Sequence, residues 1–184
     1  MAINRLTIDG YASLELNRVA FPITGRVVAD LPLNSGFNAA APAENGMILG
    51  IDYAGGEVTL PGSGMVGIHF STEKEYDPQA SGLKNFKLVS GGEYPRIGLL
   101  AVGDRFTTNA ICYNTATFAN NAVALAAFAN YATTALYGYP EATTGAILVT
   151  TTAPTTEKTA LQVIDYTTVP NGDVGLKFVV VAAQ

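Results

Sequence analysis

One cysteine, one histidine, no tryptophan and a charged fraction of only 14% set the first limits on this 184-residue chain. Each shortage closes off a class of chemistry. A lone thiol, Cys112, cannot form an intrachain disulfide, and its place between Ile111 and Tyr113 in an apolar run reads as a buried structural cysteine. A catalytic thiol wants a histidine partner, and the usual zinc sites want several Cys and His ligands. His69 is the sole imidazole, and it sits in an apolar run. Neither a G-x-S-x-G elbow nor a Walker A phosphate loop occurs. The expectation is therefore no catalytic residue, no cofactor and no metal.

Long apolar runs are scarce as well. The nearest thing to a membrane span, residues 115–136, carries Asn120, Asn121, Asn130 and four threonines, which a bilayer core penalises. The start, MAINRLTIDGYASLEL, shows no apolar signal region, so synthesis in the cytosol is expected and no membrane partner. The net charge is −5, and the basic residues Arg5, Arg18, Arg26, Lys84, Lys87, Arg96 and Arg105 are scattered, a poor footprint for a phosphate backbone; no nucleic acid is expected. About 25% charged residues is ordinary for a soluble domain. A chain with far less, and with positive mean hydropathy, suggests a surface partly covered by other copies or by a partner.

What the chain does have is short apolar runs cut by turn residues. At this length a single domain is expected, burying roughly 70% of its unfolded surface without staples. Residues 6–8 and 11–16 alternate, separated by Asp9-Gly10. Residues 23–33 read as an edge or bulged strand, and 34–45 as a surface loop. From Gly46 the runs 47–53, 57–60 and 65–70 are separated by Gly-Gly and Pro-Gly turns, the signature of a sandwich or barrel. Residues 73–82 read as a solvated loop, and 86–89 as another strand. The stretch 94–113, YPRIGLLAVGDRFTTNAICY, reads as two strands joined across Gly103-Asp104 and central to the fold because both faces are apolar. Residues 116–136 place Phe118, Ala122, Leu125, Phe128 or Ala129, Ala132 and Leu136 on one helical face, which predicts a helix, or else a coil insertion over 115–140. Gly138 and Pro140 end it. Residues 146–152, 160–169 and 174–182 read as strands, the last two joined at Asn171-Gly172-Asp173. The fold class is mainly β: an antiparallel barrel or sandwich with one helix.

Several short patterns imitate functional motifs. Residues 62–67 match GxGxxG, but strand-like residues follow where a dinucleotide site needs a helix, and no acid stands about 20 positions on. Glu73, Glu75 and Asp77 are spaced like calcium ligands, yet Pro78 occupies the position of the required glycine. Tyr131, Tyr137 and Tyr139 form an aromatic cluster suited to a sugar, to a protein surface or to ordinary packing. A pair of carboxylates distant in sequence remains open on sequence alone, although the chain has no Trp for a sugar platform.

The leaderless start MAINRLTIDGYAS, the Ala/Thr/Gly-rich β composition, the run LLAVGDRFTTNAICYNT and the finish GLKFVVVAAQ together resemble the decoration, or cement, proteins of tailed-bacteriophage capsids. The resemblance implies a β-barrel or sandwich on the outside of the virion capsid. The partner it implies is the major capsid protein, with self-association, often as a trimer, and bridging contacts that stiffen the shell. Interface candidates are Ile3, Arg5 and Leu6 in an extended N-terminal arm (residues 1–9), with Tyr131, Tyr137 and Tyr139. Such an arm would add as a strand to a capsid edge; removing residues 1–8 would then abolish binding and leave the fold intact. A receptor- or glycan-binding fibre module and a tail-tube or baseplate subunit are the alternatives.

Overall fold

Runs of β-branched and aromatic residues bounded by Gly, Pro, Asn and Asp fold as strands, and the chain forms twelve of them among the described residues. The computed structural model describes residues 2–15, 20, 26–62, 64–71, 85–89, 91–169 and 172–183. In chain order the elements are β1 (Ile3–Arg5), β2 (Val27–Val28), β3 (Ile48–Asp52), β4 (Glu57–Thr59), β5 (Met65–His69), β6 (Ile97–Leu99), β7 (Arg105–Thr108) and β8 (Ile111–Asn114). There follow α1 (Asn121–Ala129), β9 (Tyr137–Pro140), β10 (Ile147–Thr150), β11 (Ala160–Thr168) and β12 (Val174–Ala182).

A seven-stranded sheet runs β1-β8-β10-β9-β11-β12-β7, and a five-stranded one runs β2-β6-β5-β3-β4. The main core lies between them. Ile111, Ile147, Leu161 and Phe178 of the large sheet meet Ile48 and Ile68 of the small one, with Phe118 and Phe128 closing one side. A second core, built from Leu33, Phe37, Leu49, Val58 and Ile97, covers the other face of the small sheet. The fold is mainly β with one helix, as the composition predicts. The sheets are not purely antiparallel: β8 and β10 pair in parallel, because β9 is inserted beside β10.

The stretch 94–113 is central, but it is not a hairpin. β6 belongs to the small sheet and β7 to the large one, so the Gly103 turn (φ +93°) carries the chain from one layer to the other. The second apolar run then breaks at Asn109-Ala110 into β7 and β8. β7 is one edge of the large sheet and β8 lies next to the opposite edge. Only two residues link them, so the sheet curls until its ends meet at this corner. The N-terminal segment closes the seam: the Leu6 N–H donates to Ile111 O and the Glu15 N–H to Thr107 O, both at 2.9 Å.

Further expectations need correction. The helix spans nine residues rather than 116–136, because Asn120 caps its start through its side chain and Asn130 ends it. Gly138 and Pro140 stand inside a strand, β9, where a Cβ on residue 138 would come within 2.6 Å of Ile147 Cγ2 and 3.2 Å of the Phe178 ring. Residues 3–5 are an integral edge strand, β1, not a free arm, and Leu6 after it is core. The segment 34–45 is not a plain surface loop: Phe37, Ala43, Glu44 and Asn45 are buried. The strand expected at 6–8 lies three residues earlier, as β1, and 11–16 contributes only the Leu14–Thr108 bridge among its described residues. The solvated loop expected at 73–82, with the calcium-like spacing inside it, lies outside the described residues, as does Asn171 of the last hairpin.

Candidate functional site

A buried polar cluster forms a junction around the turn Glu44-Asn45-Gly46-Met47. Gly46 takes φ +83° there, which lets the chain reverse before β3. Its N–H donates to His69 O at 2.7 Å, and the His69 N–H donates to Met47 O at 2.8 Å. The Glu44 side chain is 1% exposed and takes a two-pronged contact from Arg5, at 2.5 and 2.8 Å. Its Oε2 also accepts the Ala12 N–H at 2.5 Å. One carboxylate thereby ties β1 and the following segment to the small sheet. Burial works against the Arg5 charge, but the hydrogen bond and charge of Glu44 outweigh it and hold the guanidinium firmly protonated.

His69 completes the junction from the other side and is fully buried. Its Nδ1 lies 2.9 Å from the Glu44 carbonyl oxygen, which can only accept, so Nδ1 carries the proton. Nε2, at 2.9 Å, then accepts from the Ser71 hydroxyl, whose oxygen in turn accepts the Arg96 N–H at 2.8 Å. This pattern suits a neutral ring, and burial pushes the imidazole down to about 4 against the pull of the Glu44 carbonyl and charge. A serine donating to a histidine has the outline of a nucleophile and its base. An imidazole held this low is a weak base near neutrality, and the Glu44 carboxylate is turned away to Arg5 and Ala12. The arrangement is a fixed polar knot.

Cys112 is buried on the outer side of the large sheet with Ala146 and Leu148. Burial, then the nearby Glu141 charge, pushes its thiol up to about 12, with Arg5 opposing. It is therefore a poor nucleophile. Among the described residues no group of three His, Cys, Asp or Glu side chains could hold a metal ion. The glycine-rich 62–67 run leads straight into β5; a Cβ on Gly67 would meet Gly98 O and Ile97 Cγ2 at 2.6 Å, so close strand packing accounts for that glycine.

Of the interface candidates, Ile3 is 42% exposed on β1, Arg5 is a third exposed and committed to Glu44, and Leu6 is 3% exposed. The tyrosine cluster divides. Tyr131 packs toward the main core, while Tyr137 and Tyr139 flank the inward-facing Gly138 and share the outer face of the sheet, Tyr139 against the Cys112 cluster. A cavity of about 130 Å³ is lined by Arg5, Phe37, Ala41, Met47, Leu60 and Thr144. A second, of about 310 Å³, is lined by Pro61, Val66, Pro140, Glu157 and Lys158. Glu44 carries one signal in the sequence: it is the single acid inside the otherwise neutral run NSGFNAAAPAEN. No helix among the described residues is long and apolar enough to cross a membrane. Compared with known proteins, the chain matches no family model, no curated protein and no solved structure.

Proposed function

We propose that this chain is a structural virion protein that binds the outside of a phage capsid and stabilises the shell by bridging capsid subunits. The observation that carries the reading is where its exposed apolar side chains lie on a weakly charged surface. Tyr53 (60% exposed) tips the β3–β4 hairpin, Tyr94 (59%) precedes β6, Val102 (67%) tips the β6–β7 turn, and Val181 (44%) stands on β12. Contacts spread over several sides suit a bridge, since a protein linking two or more neighbours gains avidity from sites that are individually weak. Rigid attachment also suits the polar knot at Glu44, which fixes the two layers to each other. The partner in this reading is the major capsid protein, and self-association follows from the same weakly charged surface.

The test is co-sedimentation of the purified chain with expanded and unexpanded phage shells, followed by heating of the decorated shells. Selective binding to expanded shells with a raised shell melting temperature is expected. Absence of binding to any shell overturns the reading.

A second reading has its own observation. Tyr137 and Tyr139 stand on one outer face, and Tyr139 feels the charge of Glu157, which lines the second cavity with Pro140 and Lys158. Half-buried rings near a mainly apolar hollow whose rim carries Glu157 and Lys158 are a platform for a sugar. A glycan array separates this receptor-binding reading from the first. A tail component would instead form rings or open polymers alone.

A further inference from the structure

We infer that the free edge of β1 is a self-complementary docking strand, and that its partner is β1 of a second copy of this chain. The inference stands independently of the capsid reading. Ala2 O accepts the Thr115 N–H and the Leu6 N–H donates to Ile111 O, so the even-numbered residues face β8. Alternation turns the N–H and C=O groups of Ile3 and Arg5 outward. No main-chain bond of either residue on that side occurs among the described residues. Beyond them the edge is already closed, since the Thr7 N–H donates to Asn121 Oδ1.

Exposed edges are normally guarded by a lysine, a proline, a bulge or an inward-pointing charge. None is present on β1. Its sole charge, Arg5, is neutralised by Glu44, so two such edges do not repel. Antiparallel pairing about a two-fold axis sets Ile3 of each copy opposite Arg5 of the other, with four main-chain hydrogen bonds, and puts Asn4 opposite Asn4. Arg5 pairs with Cys112 and Ile3 with Asn114 across β8, so Ile3 and Arg5 project from the outer face. The second copy's Ile3 then stands beside Arg5, which lines the 130 Å³ cavity with Phe37, Ala41, Met47 and Leu60. Apolar cavities of about 150 Å³ admit benzene, so a branched four-carbon side chain is of fitting size. Main-chain bonds supply affinity in this mode and the pocket supplies specificity.

The test is sedimentation equilibrium of the full chain up to its solubility limit, with two variants. The unaltered chain is expected to show a concentration-dependent dimer. Ile3→Pro removes the outward N–H and the side chain but none of the bonds to β8; it is expected to weaken the dimer about tenfold or more. Asn4→Cys places two thiols at a non-hydrogen-bonded pair, about 4.5 Å apart at Cα, and is expected to form a covalent dimer on mild oxidation. Buried Cys112 supplies the background control. A monomer at every concentration overturns the inference. So does an assembly, dimeric or three-fold, whose mass is unchanged by Ile3→Pro, and so does failure of Asn4→Cys to cross-link where an exposed Thr7→Cys control succeeds.

Discussion

His69 and Glu141 make the folded chain sensitive to acid, and the sign follows from their surroundings. Folding lowers the His69 pKa from 6.5 to about 4, so between those values the unfolded chain binds the extra proton. Stability therefore rises with pH across that window and is lost as pH falls toward 4, by about 3 kcal/mol at 1.36 kcal/mol per unit. The Glu141 carboxyl is also lowered. Burial opposes its charge, but the hydroxyls of Thr143 and Thr144 and the Thr143 N–H outweigh it. Its contribution is present above the unfolded value and disappears as pH falls through the folded one. Urea midpoints measured from pH 7 to pH 4 are expected to fall steadily, and His69→Gln to flatten the upper part of that slope. An unchanged slope in His69→Gln assigns the acid loss elsewhere. Gly46 is the other decisive residue: a Cβ there would lie 1.9 Å from Thr108 Oγ1, which is held by Ser13 O and the Ala110 N–H. Strain at positive φ and the clash together predict a loss of about 2–5 kcal/mol for Gly46→Ala. Gly56→Ala, with φ +67° and nothing within 4 Å, is expected to lose only about 1 kcal/mol in the same denaturation assay.

At the scale of elements, α1 is short and depends on its cap. Asn120 Oδ1 accepts the Val123 N–H at 3.0 Å on an exposed turn. Asn120→Ala is expected to cost about 1 kcal/mol, read from thermal melts. The helical spacing of Phe118, Phe128 and Leu136 was legible in the sequence, and all three are buried, yet they do not share one helix. Phe118 and Leu136 reach the core from the turns on either side, so the pattern reported burial and overstated helix length. The strands β3, β4, β5, β11 and β12 were legible because glycine or proline turns separate clear alternation. β9 was not, since its turn-forming residues Gly138 and Pro140 serve packing there instead. The β7–β8 corner was hidden for a related reason: Phe106 to Tyr113 alternates without interruption, and the break at Asn109 depends on Ser13, whose N–H donates to Asn109 Oδ1 from 96 positions away. The polar knot was least legible, because Glu44 meets Arg5 and His69 across 39 and 25 positions of sequence.

For the whole molecule, the N-terminal segment decides whether the large sheet closes. Residues 3–6 border β8, and residues 14 and 15 border β7, so one strand of chain spans the seam between the sheet's two ends. Arg5 and Ala12 then anchor that span to Glu44 in the other layer. Removing residues 2–8 takes away the β1 ladder, the buried Leu6 side chain and the guanidinium that neutralises a carboxylate 1% exposed. A buried leucine alone is worth about 2–5 kcal/mol. A buried carboxylate stripped of its partner adds about 3 kcal/mol, reduced here because Arg5 is partly open to solvent. Against a typical total of about 5–15 kcal/mol, the truncated chain is expected to be largely unfolded or close to it. This reverses the expectation that the first eight residues form a detachable arm. Circular dichroism melts of the truncated chain, set beside Ile3→Pro, separate the two pictures. Collapse of the truncation with a native melt for Ile3→Pro locates the N-terminal segment's role in the fold and leaves its outer edge available for docking. A truncated chain that melts like the full one shows that the seam closes without it.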